Sequence, residues 1–365
     1  MLLLLSAKPN ISVLRRCYHG GPDFAELERL KIKPEDVLDF SSNSNPYPFN
    51  LNFNLNDVVI DHYPDSNSTE LRRLIAARNK LTEDNVVVGA GSMEIIRLIA
   101  QAYLGPGNKA LILKPTFGEY ETACQIAGAE IIEYWAEEST QFKFDSARCG
   151  AIAIQLKPKV VFICNPNNPT GQYLSGAEIE AIIDGVGTDG LVVIDEAYIA
   201  FTRDSWDSAE LLTRHHNLVI IRSMTKDFAL AGLRLGYGLG NSEIIENLDK
   251  VKPPWNVNAV AQKAGLQALN DGAYIQRSER QIRLNRDYLL SEIKALGHKT
   301  LSSCTNFFLV KVGKAAQFRA RLLQNGIIVR DCTSFGLSEY VRIAPRTMPE
   351  CRKLVNALQA PVSKC

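Results

Sequence analysis

Lys226 lies in the stretch Ser223-Met-Thr-Lys-Asp-Phe-Ala-Leu-Ala-Gly-Leu-Arg-Leu-Gly236, just after the apolar run Leu218–Ile221. A lysine set among small and apolar residues loses part of its preference for the charged form. Its amine is then nucleophilic near neutral pH and forms Schiff bases with carbonyl compounds. Ser223 stands three residues before it and Arg234 eight after it. A small hydroxyl donor and a forked guanidinium are both suitable phosphate ligands. Alone, Lys226 reads as a buried structural lysine. The full spacing, Ser-x-x-Lys followed by Gly-x-Arg-x-Gly, points instead to pyridoxal 5'-phosphate (PLP).

Other residues offer what such a cofactor needs. Gly89-Ala-Gly91-Ser92-Met93 joins a short apolar run to a helical pattern. Glycines admit a phosphate close to the backbone, and a helix N-terminus presents free N–H groups to it. The stretch nearly matches a dinucleotide loop, but Glu94 occupies the third glycine position. The next strand ends in Lys114-Pro115, with no acid for a ribose. Leu191-Val-Val-Ile-Asp195 reads as a buried strand ending in a carboxylate. A carboxylate at the end of a parallel strand faces the ligand crevice, where it can keep a pyridine nitrogen protonated. Val160–Cys164 runs into Asn165-Pro-Asn-Asn168-Pro-Thr-Gly171, whose Asn-Pro steps force turn geometry.

These segments, in this order, resemble fold-type I aminotransferases. The branch is that of histidinol-phosphate aminotransferase, which also holds the L-threonine O-3-phosphate decarboxylases of cobalamin synthesis. The likeness runs from about His19 to about Leu358. It implies the PLP-dependent transferase (aspartate aminotransferase-like) α/β fold, a mainly parallel sheet flanked by helices plus a small α+β domain. It implies that Lys226 carries PLP as a Schiff base, Asp195 faces the ring nitrogen and Phe117 stacks on the ring. Asn168 and Tyr198 would hydrogen-bond the phenolic oxygen. Gly91, Ser92, Met93, Ser223 and Arg234 would hold the phosphate, joined by Tyr63 of a neighbouring subunit. That last role makes the protein a homodimer with shared active sites. Arg342 would clamp the carboxylate of a small amino acid substrate. His19, Asn43 in the loop Ser41-Ser42-Asn43, and Arg346 are the candidate ligands for a second anionic group.

Two reactions fit this set. Loss of the Cα proton leads to transamination and loss of CO2 to decarboxylation, and substrate orientation selects between them. Transamination is placed first as the commoner outcome. His19-Gly-Gly21, Asp39-Phe-Ser-Ser-Asn43 and Pro253-Pro-Trp-Asn-Val-Asn258 resemble the decarboxylases and keep that alternative open.

The elements that must position these residues follow from hydrophobic periodicity. Strands alternate with helices from about Val86 to Gly240, which implies a parallel sheet with right-handed crossovers. Helices are expected over Asp23–Leu30, Glu70–Lys80, Ala259–Leu269 and Asp271–Leu296. Beyond them the chain alternates strand Phe307–Val312, helix Ala315–Gln324, strands Ile327–Arg330 and Tyr340–Ile343, and helix Pro349–Leu358. The expected division is an arm over 1–45 that joins the small domain, a large PLP-binding domain over 46–262 and a small domain over 263–365. Residues 1–18 carry no periodic pattern and read as a loose arm.

A net charge of +1 leaves no electrostatic footprint for nucleic acid or an anionic membrane. Eight scattered cysteines without a C-x-x-C pair fit a reducing compartment, and five histidines without H-E-x-x-H spacing leave no metal motif. The apolar Met1–Leu5 run is too short for a signal core or a span. The expected location is therefore cytoplasmic.

Overall fold

Seven short strands form the central sheet: β1 (Val86–Gly89), β2 (Lys109–Lys114), β3 (Glu130–Trp135), β4 (Val160–Cys164), β5 (Leu191–Asp195), β6 (Leu218–Ser223) and β7 (Gly236–Gly240). The computed structural model describes residues 7–14 and 17–360; the Met1–Leu5 run lies outside them. The strand order is β1-β7-β6-β5-β4-β2-β3. Only β7 runs against its neighbours; the others are parallel. Near-continuous apolar runs such as Val-Val-Phe-Ile-Cys suit a parallel sheet covered on both faces. Accordingly Val161 and Ile163 enter one core, while Val160, Phe162 and Cys164 enter the other. The edge strand β3 exposes Glu130, Glu133 and Trp135.

The strand β7, Gly-Tyr-Gly-Leu-Gly, is glycine-rich for a steric reason. A Cβ on Gly236 would lie 2.5 Å from the Ser92 backbone nitrogen. The strand therefore passes directly under the start of the helix Ser92–Tyr103. Between β4 and β5 the chain forms the helix Gly176–Val186, opened by a capping box of Ser175 and Glu178. That Ser-x-x-Glu signature is readable in the sequence.

A second sheet orders Arg330–Asp331, Tyr340–Ile343, Phe308–Lys311 and Lys299–Thr300 antiparallel. Its core includes Leu289 and Ile293 of the long helix Tyr274–Ala295, and Leu354 of the helix Met348–Gln359. Asp271, expected inside the long helix, precedes it and accepts from the N–H groups of Ala273 and Tyr274 at 3.1 and 3.0 Å. The helix Ala259–Asn270 spans the boundary expected at 262, and its Ala261, Ala264 and Ala268 belong to the large core.

Two further expectations change. The strand Ile327–Arg330 is split. Ile327 and Ile328 pair in parallel with Leu38 and Asp39, whereas Arg330 and Asp331 pair with Arg342 and Val341. The partner changes at Val329, so one extended run serves two sheets. The arm is also not patternless in space. A helical turn, Pro9–Ser12, is tied by the Asn10 amide to the carbonyls of Gln125 and Ile126 at 2.9 and 3.0 Å.

Candidate active site

The C-terminal ends of the parallel strands converge on a cavity of about 280 Å3. From β6 the chain turns into the short helix Met224–Asp227, which delivers Lys226 to the cavity wall. Burial, reinforced by the charges of Arg342 and Arg234, lowers the lysine to about 8. Asp195 ends β5 and is 3% exposed. Its Oδ1 accepts from the Ala197 N–H at 3.0 Å and its Oδ2 from the Tyr120 hydroxyl at 2.7 Å. Burial pushes this carboxyl up to about 6, opposed by those two donors. Phe117 lines the same cavity from the start of the segment that carries Tyr120.

A phosphate-sized cradle lies at one end. Gly91 has φ +79°, and a Cβ there would stand 2.7 Å from the Arg234 guanidinium. Arg234 itself adopts a left-handed conformation, φ 57°, which turns its side chain back towards this loop. No side chain caps the helix that begins at Ser92. Its first N–H groups and dipole are thus available to an anion. Ser223 Oγ lies 2.7 Å from Thr225 Oγ1, and both hydroxyls reach the cavity. Glu94, which replaces the third glycine of a dinucleotide loop, is structural. It accepts from the Ala90 N–H at 2.6 Å and the Asn256 amide at 2.5 Å.

Around the centre, the Asn43 amide donates to the Tyr198 hydroxyl at 3.1 Å, and Arg342 donates to the side chain of Asn168. Among the described residues, Asn43 Oδ1 and Arg342 Nε are buried without a partner. A buried carboxylate at the wall, an uncapped helix over a glycine cradle and these orphaned polar atoms fit PLP and a polar substrate. Lys226, Asp195, Phe117, Asn168, Tyr198, Ser223 and Arg234 would hold the cofactor.

Residues 35–358 match the family "Aminotransferase class I and II". The chain belongs to that family. PLP is therefore its cofactor, and it lies in the histidinol-phosphate aminotransferase and threonine-phosphate decarboxylase branch of fold type I. Histidinol-phosphate aminotransferase of Moorella thermoacetica is 34% identical, with 98% of this chain and 91% of the relative covered. The solved histidinol-phosphate aminotransferase of Clostridium acetobutylicum is 31% identical at a TM-score of 0.80, covering 88% of this chain and 98% of that one. L-Threonine-O-3-phosphate decarboxylase of Porphyromonas gingivalis is 29% identical at a TM-score of 0.71, covering 82% of this chain and 93% of that one.

Within this aminotransferase, most of the residues singled out in the sequence meet in one cavity, including Ser92, Met93, His19, Asn43 and Arg342. Three do not line it. Gly91 sits just behind the wall, against the Arg234 guanidinium. Tyr63 lies outside it, 77% exposed and stacked on Trp255 with ring centroids 4.2 Å apart. The expectation for Arg346 is corrected: it is absent from the cavity wall and bound to Glu350 at 2.8 Å and the Asp39 carbonyl at 3.3 Å. It lies in the loop before the helix Met348–Gln359 and pairs with Glu350, which closes the capping box with Thr347.

Arg330 stands beside Arg342 at the cavity wall. The antiparallel register sets Arg330 directly opposite Arg342, and both line the cavity. Their acceptors are neutral: Tyr18 carbonyl and Ser334 for Arg330, Ser41 carbonyl and Asn168 for Arg342. Among the described residues neither forms an ion pair. Sequence reading missed Arg330, Tyr120 and Thr225. Tyr120 had a usable signal, since it follows Phe117 at helical spacing; Arg330 had none before the register was known.

Proposed function

We propose that this aminotransferase acts on a small phosphorylated amine, histidinol phosphate, transferring its amino group to a 2-oxo acid. The observation that carries this reading is the Arg330–Arg342 pair. Like charges directly opposite in a sheet are destabilising, and burial lowers both guanidinium groups from their ordinary values, Arg342 to about 10. Two buried cations without a carboxylate partner make a site for a substrate anion. A phosphate or carboxylate accepts two parallel hydrogen bonds from an arginine fork. The two histidinol-phosphate aminotransferases named above support the same substrate.

PLP, when bound, supplies the sink for electrons released at Cα. Asp195, held by Tyr120 and Ala197, keeps the ring nitrogen protonated. Lys226, lowered to about 8, moves the proton at Cα as general base and acid. Arg342, backed by Asn168 and Ser41, orients the substrate. The homodimer with shared sites rests on Tyr63, which is exposed together with Leu55, Val59 and Ile60. Such large exposed apolar side chains fit burial against a second copy. A cytoplasmic location fits the cysteines, which are free among the described residues and mostly buried. No described helix is long and apolar enough to cross a membrane.

The second reading, decarboxylation of L-threonine phosphate, is favoured by the arm. A Cβ on Gly20 would be 3.4 Å from the Arg342 guanidinium, so the His19-Gly-Gly21 segment packs against the substrate cation. Incubating the pure holoenzyme with histidinol phosphate plus a 2-oxo acid, and separately with L-threonine phosphate, decides between them. The proposal requires amino transfer from the first. Release of CO2 from the second, without transfer from the first, overturns it.

A further inference from the structure

Cys17 and His19 of the arm meet Glu119 at the mouth of the cavity. The thiol, an imidazole nitrogen and a carboxylate oxygen all lie within 4.8 Å of one another. We propose that these three side chains form a zinc site that pins the arm across the entrance.

The chain is built for this approach. Gly118 carries no side chain, and a Cβ there would stand 2.9 Å from Cys17 Sγ. Any other residue at 118 would push the thiol away. Glu119 is anchored, since Arg97 holds Oε2 at 2.8 Å, and its Oε1 faces His19 Nε2 at 2.9 Å. Binding of a divalent ion by the thiol releases its proton. A mixed sulfur, nitrogen and oxygen donor set suits Zn2+ rather than Mg2+ or Ca2+. Nitrogen and oxygen ligands at about 2.0–2.1 Å stand roughly 3.3 Å apart around a tetrahedral zinc. The His19–Glu119 contact therefore opens by only a few tenths of an ångström, and His19, half exposed, is free to do so. Three protein ligands leave a fourth position for water or a substrate oxygen.

The test is zinc binding by chelator-treated holoenzyme, followed by X-ray absorption at the zinc edge. The expected result is one zinc per chain with a single sulfur at about 2.3 Å and the other ligands at about 2.0–2.1 Å. Cys17→Ser should remove the sulfur shell and weaken binding by at least about 100-fold, beyond the loss typical of an outer-shell partner. His19→Ala, on the exposed arm, should weaken binding while keeping the sulfur. Cys304→Ser, at the exposed thiol elsewhere, should change neither. Zinc bound without sulfur, as by the cofactor alone, overturns the proposal. So does a sulfur shell that survives Cys17→Ser, or no zinc retained on dialysis.

Discussion

The Tyr120 hydroxyl donates to Asp195 Oδ2 at 2.7 Å in a fully buried contact. The tyrosine ring is itself fixed, stacked on Phe162 at 5.1 Å and set edge-on to Phe117 at 5.6 Å. One short segment thus supplies the aromatic wall of the cavity and the donor that keeps the carboxylate ionised. Tyr120→Phe should raise the Asp195 pKa above about 6 and shift the acid limb of the rate profile upward. A hydrogen bond to a charged group contributes about 1.5–3 kcal/mol, so kcat near neutral pH should fall roughly 10- to 150-fold. An unmoved acid limb would remove Tyr120 from this role.

The same carboxylate has a stability signature in the cofactor-free protein. Its folded pKa of about 6 exceeds the ordinary aspartate value of 3.8. The folded state therefore binds more protons between those values, and stability falls as pH rises through that window. The full cost, about 3 kcal/mol from the shift, is present above pH 6 and absent below 3.8. Asp195→Asn should gain on wild type by about that amount between pH 4 and pH 7, measured by denaturant unfolding of both apoproteins. A pH-independent difference between them would contradict the burial argument.

Lys226 is lowered to about 8, and only its neutral amine reacts with PLP. The rate of PLP uptake by the apoprotein should rise with pH through a midpoint near 8. Lys226→Ala should leave no adduct fixed by borohydride. An adduct on another lysine in that variant would displace Lys226 as the attachment point.

The arginine pair should govern anion binding. Arg342→Lys keeps a charge but loses the fork, and Arg330→Met removes one of two facing cations. Each should weaken inhibition by inorganic phosphate, by about 10-fold or more per charge-assisted bond lost. Phosphate inhibition unchanged in both variants would exclude the pair as the anion site.

Tyr63 is expected to complete the partner's site. Mixing inactive Lys226→Ala subunits with impaired Tyr63→Phe subunits should produce heterodimers with one doubly damaged and one intact site. Activity should exceed that of either parent. No recovery after confirmed subunit exchange would rule out shared sites.

The sequence alone determined the local parts. Apolar runs marked β4, β5 and β6 as buried parallel strands, and chemistry-bearing residues followed directly on their ends at Asn168, Asp195 and Lys226. A strand's direction delivers its C-terminal residue to the crevice whatever the rest of the chain does, so these positions were legible from contiguous motifs. Side-chain pairing across distant segments was not. Tyr120 meets Asp195 across 75 positions, and His19 meets Glu119 across 100. Arg330 faces Arg342 only because the extended run changes sheet at Val329 and the antiparallel register aligns the two. A shift of that register by one residue would turn Arg330 to the opposite face. Register, and the packing of the arm against Gly118, are set by the tertiary structure, and that is where the second arginine and the thiol–imidazole–carboxylate cluster arise.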